Sequence, residues 1–353
     1  MSTESYPLPR RSKPKPALLR LGVAAAATAL TAGVAGCSSN PADAPPPTIT
    51  PAQAAQSPPA AGAVPGTVVP LGAAGRAAFF DESTASLVTL TSAADGTSAV
   101  TLVGADGRTQ VVPLDAPATA MAGGDGEVFV AATGGYHRVD LADRSVTRVD
   151  VRDRADVEFT AIARRDDGRM VLGTADGAVL TLTDDSTVGA EVKIFARVDE
   201  IVTVGDTAVV LDRAQTSVTT LDAEGSGKQQ ALRAGDGATT MVADDSGWVV
   251  VADTRGGELL VYGVDPLILR QRYPVPDAPY GLATSDNGWA WVSQSATNTV
   301  VGYDLATGIP VEKVRYPTVQ QPDSLAFDEA SGTLYVVSGA GAGVQVIRSA
   351  EGA

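Results

Sequence analysis

Short runs of β-branched and aromatic residues alternate with turn residues over most of the chain. The clearest example is residues 279–316, where four such runs are separated at residues 286–288, 295–298 and 306–308. The first break reads Asp-Asn-Gly and the last reads Ala-Thr-Gly, and such residues accept the backbone angles of tight turns. The pattern predicts a four-stranded antiparallel sheet. Because one sheet of this size cannot cover both of its faces, it needs neighbouring sheets.

The same pattern recurs about every 40 residues along the chain. In most copies the first run has small residues at its third and fifth positions and a larger apolar residue at its fourth. The seven copies start at residues 75, 118, 159, 199, 238, 279 and 322. A period of this length with four strands in each copy is typical of a β-propeller. We therefore predict an all-β fold, a seven-bladed β-propeller of four-stranded antiparallel blades, in which each first run is the innermost strand.

The last repeat lacks a fourth strand before the chain ends at Ala353. Residues 67–71, Thr-Val-Val-Pro-Leu, have a strand pattern that no other blade uses. We predict that this N-terminal strand completes the last blade and closes the ring. Pro70 is compatible with an outermost strand, because the outer edge of a blade needs no backbone donor.

Residues 1–36 differ in composition from the rest of the chain. A basic region precedes an apolar run at residues 21–35. This run is shorter than the ~20 residues that span a bilayer, so it predicts an export signal and not a permanent anchor. Residues 34–37, Val-Ala-Gly-Cys, then resemble the lipobox of bacterial lipoproteins. The resemblance implies a signal peptide, residues 1–36, and a diacylglycerol on the sulfur of Cys37.

Two alternatives concern this N-terminal region. Cys37, the only cysteine of the chain, is either the acylated residue or an ordinary cysteine near a signal peptide. Arg10 and Arg11 form a twin-arginine export signal or belong to a general secretion signal, and the lack of apolar residues after the pair favours general secretion. We expect an extracytoplasmic protein that is lipid-anchored to the bacterial cell membrane.

Residues 38–65 contain eight of the 22 prolines and show no apolar periodicity. Together with Cys37 they predict a disordered, solvated tether, residues 37–65, ahead of the propeller at residues 66–353. Removal of residues 1–36 leaves 21 Lys and Arg against 40 Asp and Glu, a net charge of −19. Such a surface repels nucleic acid and anionic headgroups, so we expect no nucleic-acid partner. A cationic partner, a neutral glycan or lipid, or a divalent ion remains open.

Residues 291–314 resemble the repeat of the YVTN/lactonase-like seven-bladed propellers. They read WVSQSATNTVVGYDLATGIPVEKV, in which a strand is followed by Asn-Thr-Val, an Asp and Thr-Gly. The resemblance implies the propeller fold. Enzymes of this kind use inward carboxylates with a metal, or pairs of histidines. Neither set maps onto this sequence residue by residue, so the resemblance identifies no catalytic residue.

The chemistry available to the chain is limited. His137 is the only histidine, which excludes multi-histidine metal sites within one subunit. It follows Gly134 and Gly135, so we predict a solvated loop residue. The chain contains no Gly-x-Ser-x-Gly motif for a serine nucleophile. Most carboxylates sit in turns, and several of them lie beside a glycine, where Asp is favoured for backbone reasons. We therefore expect no cofactor and no bound metal.

Two surfaces are candidates for binding. The second residue of each innermost segment lies near the mouth where these strands begin, and the charged and aromatic residues there are Arg76, Glu200, Tyr280 and Asp323. Trp248 and Trp289 align with polar positions of other blades on the opposite rim. They are either exposed aromatic anchors or residues packed under a loop.

The pattern favours a noncatalytic interaction and binding module in the cell envelope over two other classes. We expect a monomer whose partner is a cell-envelope protein or a cell-wall component. The first alternative is a lactonase-like hydrolase with a carboxylate-bound metal in the central funnel. The second is a receptor for a glycan or glycolipid. A metal that is lost on changing Glu200 or Asp323 would indicate the hydrolase.

Overall fold

The computed structural model describes residues 47–60, 62–244 and 246–352. These residues form β-strands joined by turns, and none of their segments is a helix of the length and apolar character needed to span a membrane. The strands are arranged in seven four-stranded antiparallel sheets, which are the blades of a β-propeller. The predicted fold class is confirmed. The predicted signal peptide and Cys37 lie outside the described residues.

Blades 1 to 6 each use four consecutive strands, from the innermost to the outermost. Blade 1 contains β2 (Ala74–Asp81), β3 (Ser86–Ser92), β4 (Ser98–Gly104) and β5 (Thr109–Pro113). Blade 2 contains β6 (Ala120–Gly124), β7 (Glu127–Ala132), β8 (Gly135–Asp140) and β9 (Val146–Asp150). Blade 3 contains β10 (Phe159–Arg164), β11 (Met170–Thr174), β12 (Ala178–Leu182) and β13 (Val188–Lys193).

The remaining blades follow the same order. Blade 4 contains β14 (Glu200–Val204), β15 (Thr207–Asp212), β16 (Ser217–Leu221) and β17 (Lys228–Arg233). Blade 5 contains β18 (Ala238–Ala243), β19 (Trp248–Asp253), β20 (Glu258–Val264) and β21 (Leu267–Pro274). Blade 6 contains β22 (Pro279–Ser285), β23 (Trp289–Gln294), β24 (Thr299–Asp304) and β25 (Val311–Pro317). Blade 7 contains β26 (Pro322–Asp328), β27 (Thr333–Ser338), β28 (Val344–Ile347) and the N-terminal β1 (Thr67–Val69).

The apolar core lies between neighbouring blades. The fourth residue of an innermost segment packs across such a boundary, as Ile162 of blade 3 does in one cluster with Phe129 of blade 2. Met241 of blade 5 likewise shares a buried cluster with Val209 of blade 4. A fully buried side chain of this kind contributes roughly 1.5–3 kcal/mol. The period-two alternation therefore has the predicted meaning, because its larger residues join one blade to the next.

The ring is closed by β1, as predicted. This strand pairs with β28 through Thr67 and Val346, Val68 and Gln345, and Val69 and Val344. Gly66 precedes it with φ +80°, and a Cβ at this position would lie 2.0 Å from the carbonyl oxygen of Val346. Only glycine fits at position 66, where the chain enters the sheet. Both ends of the propeller sequence share one blade.

The prediction of a solvated loop for His137 is wrong. His137 lies in β8 and is fully buried, and its Nε2 is 2.5 Å from Oδ1 of Asp115. Gly134 and Gly135 suggested a loop that includes His137, but the turn after β7 is short and the next strand starts at Gly135. A Cβ on Gly135 would be 2.0 Å from the carbonyl oxygen of Val149, so the glycine is required by close strand packing.

Candidate functional site at the mouth of the central funnel

The innermost strands begin around one opening, the mouth of the central funnel. Glu200 starts β14, Tyr280 is the second residue of β22, and Asp323 is the second residue of β26. All three side chains are half-buried, whereas Arg76 in β2 is exposed. The charges of Glu200 and Asp323 both act on the hydroxyl of Tyr280, and that of Arg76 acts on Asp323. The structure therefore brings the four predicted mouth residues together.

Glu200 is the most perturbed carboxyl group at the mouth. Burial raises its pKa to about 8, against the lowering effects of the Met241 amide and the positive charge of Arg213. The Met241 N–H donates to Oε2 of Glu200 over 2.7 Å. A carboxyl group with this pKa is protonated at neutral pH, so Glu200 adds little negative charge to the funnel.

Asp323 and Tyr280 are also shifted by burial. Burial raises the pKa of Asp323, although Nε2 of Gln321 donates to its Oδ1 over 2.9 Å and Arg76 opposes the shift. Burial likewise raises the pKa of the Tyr280 hydroxyl, and the nearby Arg213 opposes it. The three groups, those of Glu200, Asp323 and Tyr280, are therefore partly withdrawn from water, and each keeps its proton more readily than in water.

A segment upstream of β1 lies against the turns beside this mouth. We call residues 48–60 the strap. The amide of Ile49 donates to the carbonyl oxygen of Ala214 over 2.8 Å. Arg255 donates to the carbonyl oxygen of Thr50 over 2.6 Å, and Arg213 donates to that of Ala52. The first part of the strap is thus held by the turns between the second and third strands of blades 4 and 5.

The second part of the strap is held by blade 6 and by the connection to blade 7. The side chain of Gln321 donates to the carbonyl oxygen of Ala55 over 3.0 Å and accepts from the amide of Ser57 over 3.1 Å. Ser295 accepts from the Ala55 amide over 3.0 Å, and its carbonyl oxygen accepts from the Ser57 hydroxyl over 2.5 Å. Further contacts are made by Asn298, which donates to Pro58, and by Gln320, which donates to Ser57.

The expectation of a solvated tether is therefore wrong for the strap. Ala52 and Ser57 are only 6% and 5% exposed, although both lie within the proline-rich stretch that predicted solvation. Most of the main-chain groups of the strap that are paired bond to polar side chains of the propeller, Ile49 bonds to the carbonyl oxygen of Ala214, and no strand ladder forms. Such pairing leaves no hydrophobic periodicity in the sequence, which is why the pattern of residues did not predict it.

Other polar residues of the same turns are used within the propeller. Asp212 is fully buried and accepts from the amides of Ala196 and Gln215. Asp253 is fully buried as well, and it accepts from the amides of Gly237 and Gly256. These carboxylates hold the turns in place. The propeller side chains that contact the strap are Arg213, Arg255, Ser295, Asn298, Gln320 and Gln321.

A sequence model of the SMP-30/gluconolactonase/LRE-like region matches residues 94–340. The chain belongs to this family. No curated protein matches the sequence significantly.

Solved structures that resemble this SMP-30/gluconolactonase/LRE-like chain share its fold at low identity. Virginiamycin B lyase from Staphylococcus aureus has a TM-score of 0.64 at 12% identity, covering 79% of this chain and 97% of that one. The hydrazine synthase structure of Kuenenia stuttgartiensis has a TM-score of 0.64 at 15% identity, covering 82% and 98%. The WD40 propeller domain of Doa1 has a TM-score of 0.63 at 12% identity, covering 81% and 96%. At these identities the likeness shows the fold alone.

The SMP-30/gluconolactonase/LRE-like funnel of this chain does not fit a divalent cation. Within the described ranges, no three His, Cys, Asp or Glu side chains are grouped so that they could hold a metal ion. Glu200 already accepts from the Met241 amide and Asp323 from Gln321. Calcium takes 6–8 oxygen ligands, and the two carboxylates of this mouth provide only part of such a set. We therefore derive no metal-dependent step.

The two tryptophans of the opposite rim are half-buried. The Trp289 ring lies 5.7 Å from that of Trp291, and it covers Gly302, where an added Cβ would be 3.0 Å from the ring. Trp248 packs against the buried cluster between blades 5 and 6. The alternative of packed aromatic residues accounts for both side chains. The mouth is therefore the better candidate for binding.

Proposed function

We propose that this protein is a membrane-anchored, noncatalytic binding module of the bacterial cell envelope. In this proposal residues 1–36 direct export, Cys37 carries the lipid, and the propeller presents its mouth to a cell-envelope protein. The lipobox-like residues 34–37 support the anchor. The family membership supports a propeller scaffold on which the site, and not the fold, decides the activity.

One observation carries the binding role. Side chains of the turns beside the mouth hold an extended segment of polypeptide, the strap, mainly through its main-chain amides and carbonyl oxygens. Side chains arranged in this way recognise a ligand, whereas catalysis would require a nucleophile, an acid–base pair or a metal. Glu200 and Asp323 are instead hydrogen-bonded to the protein itself. The net charge of −19 after removal of residues 1–36 favours a neutral or cationic partner.

Labelling in cells tests the anchor. Cells that express the protein are fed an alkyne fatty acid, and the label on wild type is compared with that on the Cys37→Ser variant. We expect label and membrane fractionation for wild type and the loss of both for Cys37→Ser. Unlabelled wild-type protein in the cytoplasmic fraction would refute the anchor.

Two further assays test the noncatalytic role. Photo-crosslinking in intact cells, followed by identification of the captured molecules, is expected to recover a protein partner. Hydrolysis of a panel of lactones in the presence of calcium, manganese or zinc is expected to stay at the level of a Glu200→Gln and Asp323→Asn double variant. Metal-dependent hydrolysis that the double variant loses would instead establish the hydrolase. Capture of glycan alone would establish the glycan receptor.

A further inference from the structure

The groove beneath the strap has the properties of a peptide-binding site. We propose that this groove binds an extended, proline-containing peptide segment of a partner protein, and that the strap occupies it in the isolated chain. The groove is lined by Arg213, Arg255, Ser295, Asn298 and Gln321. This inference rests on the proposed binding function and names the class of partner.

Recognition in the groove is directed mainly at the main chain of the ligand. Arg255, Arg213 and Gln321 donate to three carbonyl oxygens spaced along the strap, those of Thr50, Ala52 and Ala55. Among the hydrogen bonds between the strap and the described part of the propeller, only one involves a strap side chain, the hydroxyl of Ser57. Because every polypeptide offers the same carbonyl oxygens and amides, these contacts are available to a segment from another chain.

Selectivity comes from two positions where only a small side chain fits. Ala52 is buried against Gly237, where an added Cβ would lie 3.1 Å from the Ala52 Cβ and 2.7 Å from that of Arg255. Ser57 is buried between Ser295 and Gln321. Between these two positions, Gln53 and Gln56 are exposed. The groove therefore selects small residues five positions apart and tolerates varied side chains between them.

The strap can leave the groove without opening a blade. All seven sheets are complete without it, since β1 provides the fourth strand of blade 7 and begins only at Thr67. Proline keeps a free segment close to the extended conformation, so little conformational entropy is lost when such a segment binds. A proline-containing ligand gains the same advantage as the strap. A short connection gives the strap an effective concentration on the order of millimolar, so a partner must either bind tightly or engage additional surface.

A strap-lifting variant tests the proposal in the full mature chain, residues 37–353, with Cys37→Ser to keep it soluble. Ala52→Arg and Ser57→Arg together place large charged side chains at the two small positions. The matched control carries Gln53→Arg and Gln56→Arg, which add the same charge at exposed positions. The probe is a fluorescein-labelled synthetic peptide of residues 48–60, followed by anisotropy.

We expect the strap-lifted protein to bind the probe at least about tenfold more tightly than wild type or the control, a difference of about 1.4 kcal/mol. Adding Arg213→Ala and Asn298→Ala should abolish this binding, and so should arginine at both small positions of the probe. Hydrogen exchange of residues 48–60 verifies that the strap has lifted, and the thermal transition verifies the fold. A lifted strap with no probe binding would overturn the proposal, and a strap that stays docked with both arginines would overturn the selectivity.

Crosslinking in cells distinguishes the peptide groove from the proposed binding function. If crosslinking in cells recovers a partner equally well with wild type and with the Arg213→Ala and Asn298→Ala variant, the binding function stands and the peptide groove is wrong. If Cys37 carries no lipid and no partner is captured, the proposed function is wrong even when the probe binds. If the strap-lifted variant captures more partner than wild type, both are supported.

Discussion

Replacing Glu200 by glutamine should make the stability of the propeller less sensitive to pH. The folded-state pKa of Glu200 is raised from 4.5 to about 8 by burial. Between these values the folded protein keeps a proton that the unfolded chain has released, so stability falls as pH rises through this window. The stabilising contribution is complete below pH ~4.5 and is lost as pH rises through about 8. Glutamine stays neutral and retains an oxygen acceptor for the Met241 amide.

The size of the effect follows from the shift. The whole shift corresponds to about 5 kcal/mol, at 1.36 kcal/mol for each pKa unit. Glu200 is only half-buried, so funnel water stabilises the carboxylate and we expect roughly 2 kcal/mol. The free energy of unfolding of Glu200→Gln should therefore match that of wild type near pH ~5 and exceed it by roughly 2 kcal/mol near pH ~9.

Urea denaturation at several pH values between ~5 and ~9 measures this difference directly. Other buried carboxyl groups, such as Asp323, are present in both proteins, so their contributions cancel in the comparison. Glu224→Gln is the matched control, because it removes a carboxylate from an exposed turn. Parallel stability curves for wild type and Glu200→Gln would refute the raised pKa of Glu200.

Three other changes test the packing of the ring. Deletion of residues 66–72 removes β1 and should lower the melting temperature by about 10 °C in calorimetry, and an unchanged transition would contradict ring closure. His137→Ala should cost about 2–4 kcal/mol in urea denaturation because it leaves a cavity. Asp115→Ala removes only an exposed carboxylate and should cost clearly less, and equal costs would contradict the buried position of the ring. Gly135→Ala should cost about 1–3 kcal/mol through its clash with the Val149 carbonyl, and a neutral effect would contradict the close approach of β8 and β9.

The fold was predictable because every blade repeats the same local signals. The Asn-Gly pair at residues 287–288 marks a hairpin by itself, and seven copies of one strand pattern at nearly constant spacing confirm each other. The closing strand was found by elimination, because residues 67–71 had no other blade to join. Local turn chemistry and global topology therefore agree for most of the chain.

The mouth was predictable only in part. Glu200 and Asp323 lie at the start of innermost strands, where the segment pattern predicts them. Their proton affinities depend on burial by other blades, which no local pattern reports. The strap was missed because its partners are far away in sequence: Thr50 and Arg255 are 205 positions apart, and Ser57 and Gln321 are 264 apart.

The order of strap and closing strand along the chain matters when the N-terminal side of the protein is pulled. Tension from that side reaches the bond between Ile49 and Ala214 first and then the bonds of the next strap residues, before it reaches β1. The bonds are loaded one after another, so each breaks separately and can re-form. The three residue pairs between β1 and β28 bear the load only after the strap has peeled off. Under tension from the N-terminal side, the pairs between β1 and β28 therefore bear the load last.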